Sequence, residues 1–419
     1  MVLVRQGSGS VVFKNIKSAL RNSRTFPLLI LAIPVLVVIR LISPWLLVRW
    51  GSLYSSRVGE FALSTEIWLC EQDAGINVPR QRHVDIFFML RPISNLQLAT
   101  MWKRVLRVWP NWVRTPLNRA NWLIPGGAIH KISINAQHDW DTHNLLDCFP
   151  PHLTFTAEEE ARGEAGLRLM GIPAGTPFIC LIARDSAFLN GLSPRNWSYH
   201  NYRDNDIQNY VLAAEEIANR GYFVVRMGAK VLDAIKSDHP MVIDYATNGM
   251  RNDFMDIYIG AKCEFCISGG SGFNAVPNIF RRPIAFGNVV PLGSIWTSRE
   301  QFVAITKHYW SVQDNRELTV GEIFNRDIGF SYQTSDYESK GIQLIENTPE
   351  EIRDIVIELV ERLKGTWQPH KDDEDLQRKF WAIFPADYKS EDGTKLHGDV
   401  RSHFGTVFLR NNRDWVQLK

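Results

Sequence analysis

Short apolar runs alternate with amphipathic stretches along most of this chain, and the alternation predicts strands and helices in strict succession. Runs at 45–50, 83–90 and 107–109 read as buried strands. Helices are predicted at 60–70 and at 94–106, the second capped by Ser94. The periodicity fades around 139–153 and resumes in a helix over 157–170 that stops at Gly171 and Pro173. Residues 178–183 then form a continuous apolar strand. Ile207, Tyr210, Val211, Ala214, Ile217 and Ala218 mark a helix closed by Gly221. Strands follow at 222–227, 242–245, 264–268 and 283–286, with a helix at 252–261. Thr348-Pro349-Glu350-Glu351 opens a late helix that Gly365 closes. This grammar places the chain in the α/β class, with parallel sheets covered by helices. It occurs twice, and the boundary between the halves is expected within 154–177.

The amino-terminal stretch follows another rule. Residues 26–39 are wholly apolar, too short for the roughly 20 residues of a spanning helix, broken by Pro27 and Pro34 and stopped by Arg40. Before them Val11, Val12, Ile16, Ala19 and Leu20 recur at helical spacing among Lys14, Lys17, Arg21 and Arg24, as in a basic helix lying on a membrane. The competing reading runs the apolar stretch through Val48 as one transmembrane helix. A peripheral or monotopic anchor over 1–41 is expected, with the body at the cytoplasmic face of a bacterial inner membrane.

Charge supports that expectation. Residues 1–59 carry eight basic side chains and no acid, whereas the remainder carries 39 basic and 45 acidic ones. Positive charge flanking an apolar stretch points to anionic lipid, and no nucleic-acid-binding motif is present. The 45% hydrophobic content allows a large core, which excludes a disordered chain. Five irregularly spaced cysteines make no disulfide framework. Cys263 and Cys266 lack the further ligands of a zinc site and read as buried strand residues.

The strongest chemical signal is the stretch Ser268, Gly269, Gly270, Ser271 and Gly272, where an apolar run empties into small residues ahead of a helical pattern. Such a loop lets backbone approach an anion closely, and the following helix would aim free N–H groups at a phosphate. A plain structural turn has the same composition.

Two Rossmann-like halves facing a cleft are the layout of a GT-B glycosyltransferase. From about Ile42 onward the chain resembles a family of glycosyltransferases associated with bacterial surface-carbohydrate synthesis. The resemblance is carried by Arg57-Val-Gly-Glu-Phe-Ala62, the Ser94 to Arg104 helix, Tyr202-Arg-Asp-Asn-Asp206 and Arg226-Met-Gly228. To these are added Asp253-Phe-Met-Asp-Ile-Tyr258, the 268–272 loop and Arg281-Arg-Pro283. It implies an acceptor domain at 42–155, a nucleotide-sugar domain at 156–365 and a tail at 366–419 returning toward the first domain. The implied partners are a nucleotide-sugar donor and a lipid-linked glycan acceptor, with no cofactor and no metal. A nucleotide-sugar epimerase or a catalytically silent membrane scaffold remain alternatives.

In such an enzyme the donor lies at the carboxyl ends of the second half's strands. Arg184 follows the first of these, or else pairs with a neighbouring acid. Arg226, Gly228 and Lys230 follow the second. Asp244 and Tyr245 at another strand end hold base or ribose, or cap the core. Glu60 is the candidate general base, similar to the acidic residue in the Gly-Asp turn of heptosyltransferases, or else it stabilises its own helix start. Asp204-Asn205-Asp206 reads as helix capping, Asp253 as a cap and 372–375 as a solvated charge run. His83, His130, His138, His143 and His200 are scattered and read as solvated loop residues.

Overall fold

The computed structural model describes residues 26–134, 140–191, 196–390 and 393–417. The helical expectation for 11–20, and His138, lie outside the described residues. The chain divides into two compact units, one of residues 1–54, 77–92 and 106–134, the other of residues 55–76, 93–105 and 135–419.

In the smaller unit, strands β1 (Leu47–Leu53) and β2 (His83–Met89) pair in parallel, with Leu47 opposite His83. Single bridges extend the pair on either side, Trp50 to Lys131 and Phe87 to Val108. The strand expected at 107–109 is reduced to that bridge because Pro110 has no N–H to continue the ladder and a helix starts at the next residue. Helices Phe26–Ile42 and Asn111–Leu123 cover the strands, burying Leu36, Trp50, Ile86, Phe88, Leu117 and Ala120 together. The first helix runs unbroken through Pro34, where the sequence suggested a break. Between the strands, Arg49 grips Asp85 through two hydrogen bonds of 2.8 and 2.7 Å.

The larger unit is built on a seven-stranded sheet in the order β12-β8-β7-β6-β3-β4-β5, every pairing parallel. Its strands are β3 (Phe178–Ala183), β4 (Phe223–Arg226), β5 (Val242–Ile243), β6 (Cys266–Gly269), β7 (Ile284–Val289), β8 (Phe302–Thr306) and β12 (His403–Phe404). Counted in chain order from β3, the first six lie 3-2-1-4-5-6 across the sheet, the doubly wound arrangement. Winding therefore reverses between β3 and β6, which pair from Cys180 opposite Cys266 to Ala183 opposite Gly269. The central strands are buried along their whole length, which is why they read as continuous apolar runs. Cys263 and Cys266 are fully buried here. A small antiparallel sheet of β9 (His308–Ser311), β10 (Arg316–Glu317) and β11 (Ile342–Ile345) went unseen in the sequence. Residues of the tail supply β12 and pack Phe380, Phe404, Phe408 and Trp415 into the core of this unit. Asp373, expected to be solvated, is buried and holds Arg410 through two 2.6 Å hydrogen bonds.

Two helices encoded early in the chain belong to this unit. Helix Val58–Asp73 packs on helix Ala275–Ile279, and helix Leu96–Val105 packs on helix Asp253–Lys262. The cap of the Leu96–Val105 helix is Asn95, whose Oδ1 accepts the Leu98 N–H at 2.8 Å, rather than Ser94. Asp253 does not cap its own helix, which Asn252 does. Its carboxylate instead accepts the Leu96 N–H at 2.7 Å.

Candidate functional site

The reversal between β3 and β6 fixes where chemistry can gather, because strand ends that diverge into helices on opposite faces leave a crevice there. Arg184 immediately follows β3, and residues 268–272 close β6. Asn205 ties the two together: its N–H donates to the Arg184 carbonyl at 2.8 Å and its side-chain amide donates to the Gly269 carbonyl at 2.8 Å. Its neighbour Arg203 donates from Nη2 to the Gly270 carbonyl at 2.7 Å.

The loop is shaped by its small residues. Gly270 has φ +74°, a conformation open to glycine, and its N–H donates to the Ser268 hydroxyl at 3.2 Å. A side chain at Gly269 would strike the Tyr210 hydroxyl, 2.6 Å from where its β-carbon would sit. Ser271 caps a single 3₁₀ turn, Gly272–Asn274, which leads into a helix of only five residues, Ala275–Ile279. That helix contains Pro277 and is too short to supply the dipole expected of it.

The stronger dipole comes from an element that sequence alone placed in the other half. Helix Val58–Asp73, 16 residues long, begins against the loop. A β-carbon on Gly59 would lie 3.0 Å from the Gly272 carbonyl oxygen. Arg57 at the N-cap of this helix makes no side-chain cap, so the first-turn amides receive no acceptor from it. Glu60 lies in the first turn, its side chain 19% exposed, and accepts from Arg57 Nη1 at 3.3 Å. The arrangement brings Glu60, Arg184 and Ser268 through Gly272 into one neighbourhood.

Cationic groups surround it. Arg184 donates to the His200 carbonyl at 3.2 Å and pairs with an acid, as the second reading of the sequence has it, that acid being Asp204. Lys307, 5% exposed, donates to the Asp204 carbonyl and lies 3.8 Å from Glu346. Burial, with Arg184, Arg203 and Arg57 facing it, pushes His200 down to about 4, so the imidazole is neutral at pH 7. Burial likewise lowers Arg184 and Lys307, against the pull of their acids. His200 Nδ1, Trp197 Nε1 and Asn274 Nδ2 are buried without a hydrogen-bond partner. Hydrogen-bond donors gathered beside a concentration of positive charge are the chemistry that recognises an anion. Arg57, Arg203, His200 and Lys307 were missed in the sequence. Arg57 and Arg203 stand within stretches that the sequence singles out, 57–62 and 202–206, and His200 reads there as a solvated loop residue.

The remaining candidates have other partners. Arg226, 1% exposed, donates to Asp244 at 3.1 Å and to the Asp233 carbonyl at 2.9 Å. Asp244 also accepts the Ile235 N–H at 3.1 Å. Gly228 leaves room for Val231, whose methyl carbon would stand 2.4 Å from a β-carbon there. Lys230 is exposed, its Nζ 3.4 Å from the Gly191 carbonyl. Tyr245 is fully buried and donates to Asp256 at 3.1 Å. Burial pushes Asp256 up to about 6, although Arg251 and Tyr245 oppose it. Asp206 caps the turn that follows it, accepting the Gln208 N–H at 2.9 Å, as the sequence implied.

Among the described residues one trio has the spacing of metal ligands: Glu66, Cys70 and His152. Arg281 already delivers Nη2 to Glu66 at 2.7 Å and to Cys70 at 3.6 Å. Burial lowers His152, yet hydrogen bonds to Cys70 and Glu66 outweigh it and hold the ring up to about 10. Two positive charges thus occupy the place a cation would take.

No protein-family model matches the chain, and no curated protein matches it. Among solved structures, the chain is similar to E. coli ADP-heptose LPS heptosyltransferase II. The identity is 12%, over 75% of this chain and 99% of that one, at a TM-score of 0.41. A glycosyl transferase family 9 structure from Veillonella parvula aligns at 11% identity over 75% and 97%, TM-score 0.44. A UDP-N-acetylglucosamine 2-epimerase structure from Listeria monocytogenes aligns at 10% over 84% and 99%, TM-score 0.32. Likenesses this loose carry no argument about activity.

Proposed function

We propose that this chain is a glycosyltransferase of surface-polysaccharide synthesis. It moves a sugar from a nucleoside diphosphate donor to a lipid-linked glycan precursor at the cytoplasmic face of a bacterial inner membrane. The observation that carries the reading is the cluster at the β3/β6 reversal, where Gly272 meets the start of helix Val58–Asp73 and Gly270 meets Arg203, with Arg57 and Arg184 facing His200 beside them. The diphosphate of the donor sits against these groups, and their charge stabilises it as the bond from the anomeric carbon to the phosphate oxygen breaks. Glu60 takes the proton from the acceptor hydroxyl as that oxygen bonds to the anomeric carbon. His200, kept neutral, adds bulk and a hydrogen-bonding ring without adding a titrating charge at pH 7.

The test is a panel of UDP, GDP, CMP and ADP in thermal unfolding, followed by sugar transfer with whichever nucleotide stabilises. One nucleotide should raise the melting temperature, since ligand bound only to the folded state adds stability by mass action. No shift at millimolar concentration with any of the four would favour a silent scaffold. Conversion of a free nucleotide sugar to its epimer without acceptor would replace transfer by epimerisation.

A further inference from the structure

The smaller unit combines a large positive charge with exposed apolar side chains. It carries fourteen Lys and Arg residues against a single acid, Asp85, and that acid is held by Arg49 at 2.7 Å. The larger unit carries the balance of the acids, 44 against 33 basic residues. The positive unit also exposes large apolar side chains along one helix and its packed neighbour. Helix Phe26–Ile42 buries a narrow seam of Leu29, Ala32, Leu36 and Ile39, and Arg40 pins its end to Asn121 and the Pro125 carbonyl. Outside that seam Ile30, Leu31, Val35, Val37, Val38 and Leu41 face solvent, Leu31 at 65% and Leu41 at 66%.

The packed partner of this helix has the same character. On Asn111–Leu123, Leu117, Ala120 and Asn121 are buried, while Trp112 is 64% exposed and Trp122 and Leu123 are exposed beside them. Trp45, just past the first helix, is 75% exposed. Exposed tryptophans on the same helix pair as exposed aliphatic side chains, in a unit rich in arginine and lysine, suit the boundary between headgroups and acyl chains. At 1.5 Å per residue the 17-residue helix is about 25 Å long, short of the roughly 30 Å hydrocarbon core. Among the described residues no helix is long and apolar enough to cross a membrane.

We infer that helices Phe26–Ile42 and Asn111–Leu123 together form a docking surface for one leaflet of an anionic bilayer, with Trp45, Trp112 and Trp122 at the headgroup level. The second helix makes this a folded platform instead of a terminal tether. Anionic lipid is the occupant that fits both halves of the observation: thirteen excess positive charges ask for a polyanion, and the apolar side chains ask for one with a hydrocarbon interior. A nucleic acid would satisfy the first and leave the second in water. The inference rests on the smaller unit alone and stands or falls apart from the transferase reading.

The experiment is co-sedimentation of the full chain with phosphatidylcholine vesicles and with vesicles containing one quarter phosphatidylglycerol, at low and high salt. Binding should require the anionic lipid and weaken with salt. The double variant W112S/W122S, whose side chains are exposed, should keep the wild-type melting temperature while losing about tenfold in vesicle partitioning. Brominated acyl chains should quench the wild-type tryptophan emission and do so less in the variant. Unchanged partitioning by W112S/W122S, equal binding to neutral vesicles, or displacement of the chain from vesicles by an oligonucleotide at equal charge would each overturn the inference. A stable dimer that excludes vesicles would assign the face to a second copy.

Discussion

Gly59 lies against Gly272 so closely that one added carbon on Gly59 would stand 3.0 Å from the Gly272 carbonyl oxygen. The start of a helix and the 268–272 loop are fitted together by the absence of a side chain on Gly59, whereas a β-carbon on Gly272 would stand 3.8 Å from the Gly59 nitrogen, an ordinary contact. Replacing Gly59 with Val should therefore displace the 268–272 loop, at a cost of about 1–3 kcal/mol in stability. Nucleotide affinity should fall at least about tenfold in titration calorimetry while far-ultraviolet dichroism is retained. Wild-type affinity in Gly59→Val would separate the helix start from the anion site.

Arg203 reaches the loop from the other side through its 2.7 Å hydrogen bond to the Gly270 carbonyl. In Arg203→Met, loss of a charged donor should weaken a nucleoside diphosphate by roughly 10- to 100-fold and a nucleoside by much less. Equal losses for the two ligands would assign Arg203 to loop shape instead of phosphate charge.

Glu60 makes a prediction of the opposite kind. Its Gln replacement removes a proton acceptor from beside Arg57 and nothing from the 268–272 loop. Nucleotide affinity should stay within about twofold of wild type while turnover falls by two to four orders of magnitude. Full turnover by Glu60→Gln would leave the proton to another group.

His308 gives the larger unit an alkaline limit. Burial lowers it, but hydrogen bonds of 2.8 Å to Glu317 and 3.0 Å to Glu351 prevail and hold it up to about 10, against an ordinary 6.5. The folded chain thus keeps a proton that the unfolded chain releases, so the contribution is complete below pH 6.5 and is lost as the pH rises to about 10. His152, held up to about 10 beside Glu66, acts in the same window. Urea melts should show stability falling across it by on the order of 1 kcal/mol or more, and His308→Gln should flatten the fall. An unchanged slope would mean that His308 does not hold its proton.

The β3 to β7 series was legible because fully buried parallel strands write themselves as unbroken apolar runs, and the 178–183 run matches β3 to the residue. The 268–272 loop was legible through its lack of side chains. The helices Val58–Asp73 and Leu96–Val105 were found, but their allegiance was not. A helix buried nearly all round shows no polar stripe to say which neighbour it packs on, and Glu66, Thr65 and Ser64 are among its buried residues. Helix Asn111–Leu123 escaped because Pro116 interrupts it, although Val113, Leu117, Ala120 and Ile124 recur at helical spacing. Arg57, Arg203 and His200 were invisible as a group because topology, not spacing, assembles them.

Arg281 and Glu66, joined at 2.7 Å, are 215 residues apart in the chain. At the ribosome, where roughly 5 to 20 residues are added each second, helix Val58–Asp73 emerges about 10 to 40 s before the partner it must pack against. Glu66, 0% exposed in the finished protein, spends that interval without the guanidinium that compensates it. The nascent chain must therefore keep a helix that ends up buried nearly all round from its own neighbours and from other chains until Arg281 arrives, which makes the order of synthesis, and not only the final energy, a constraint on how this protein is made.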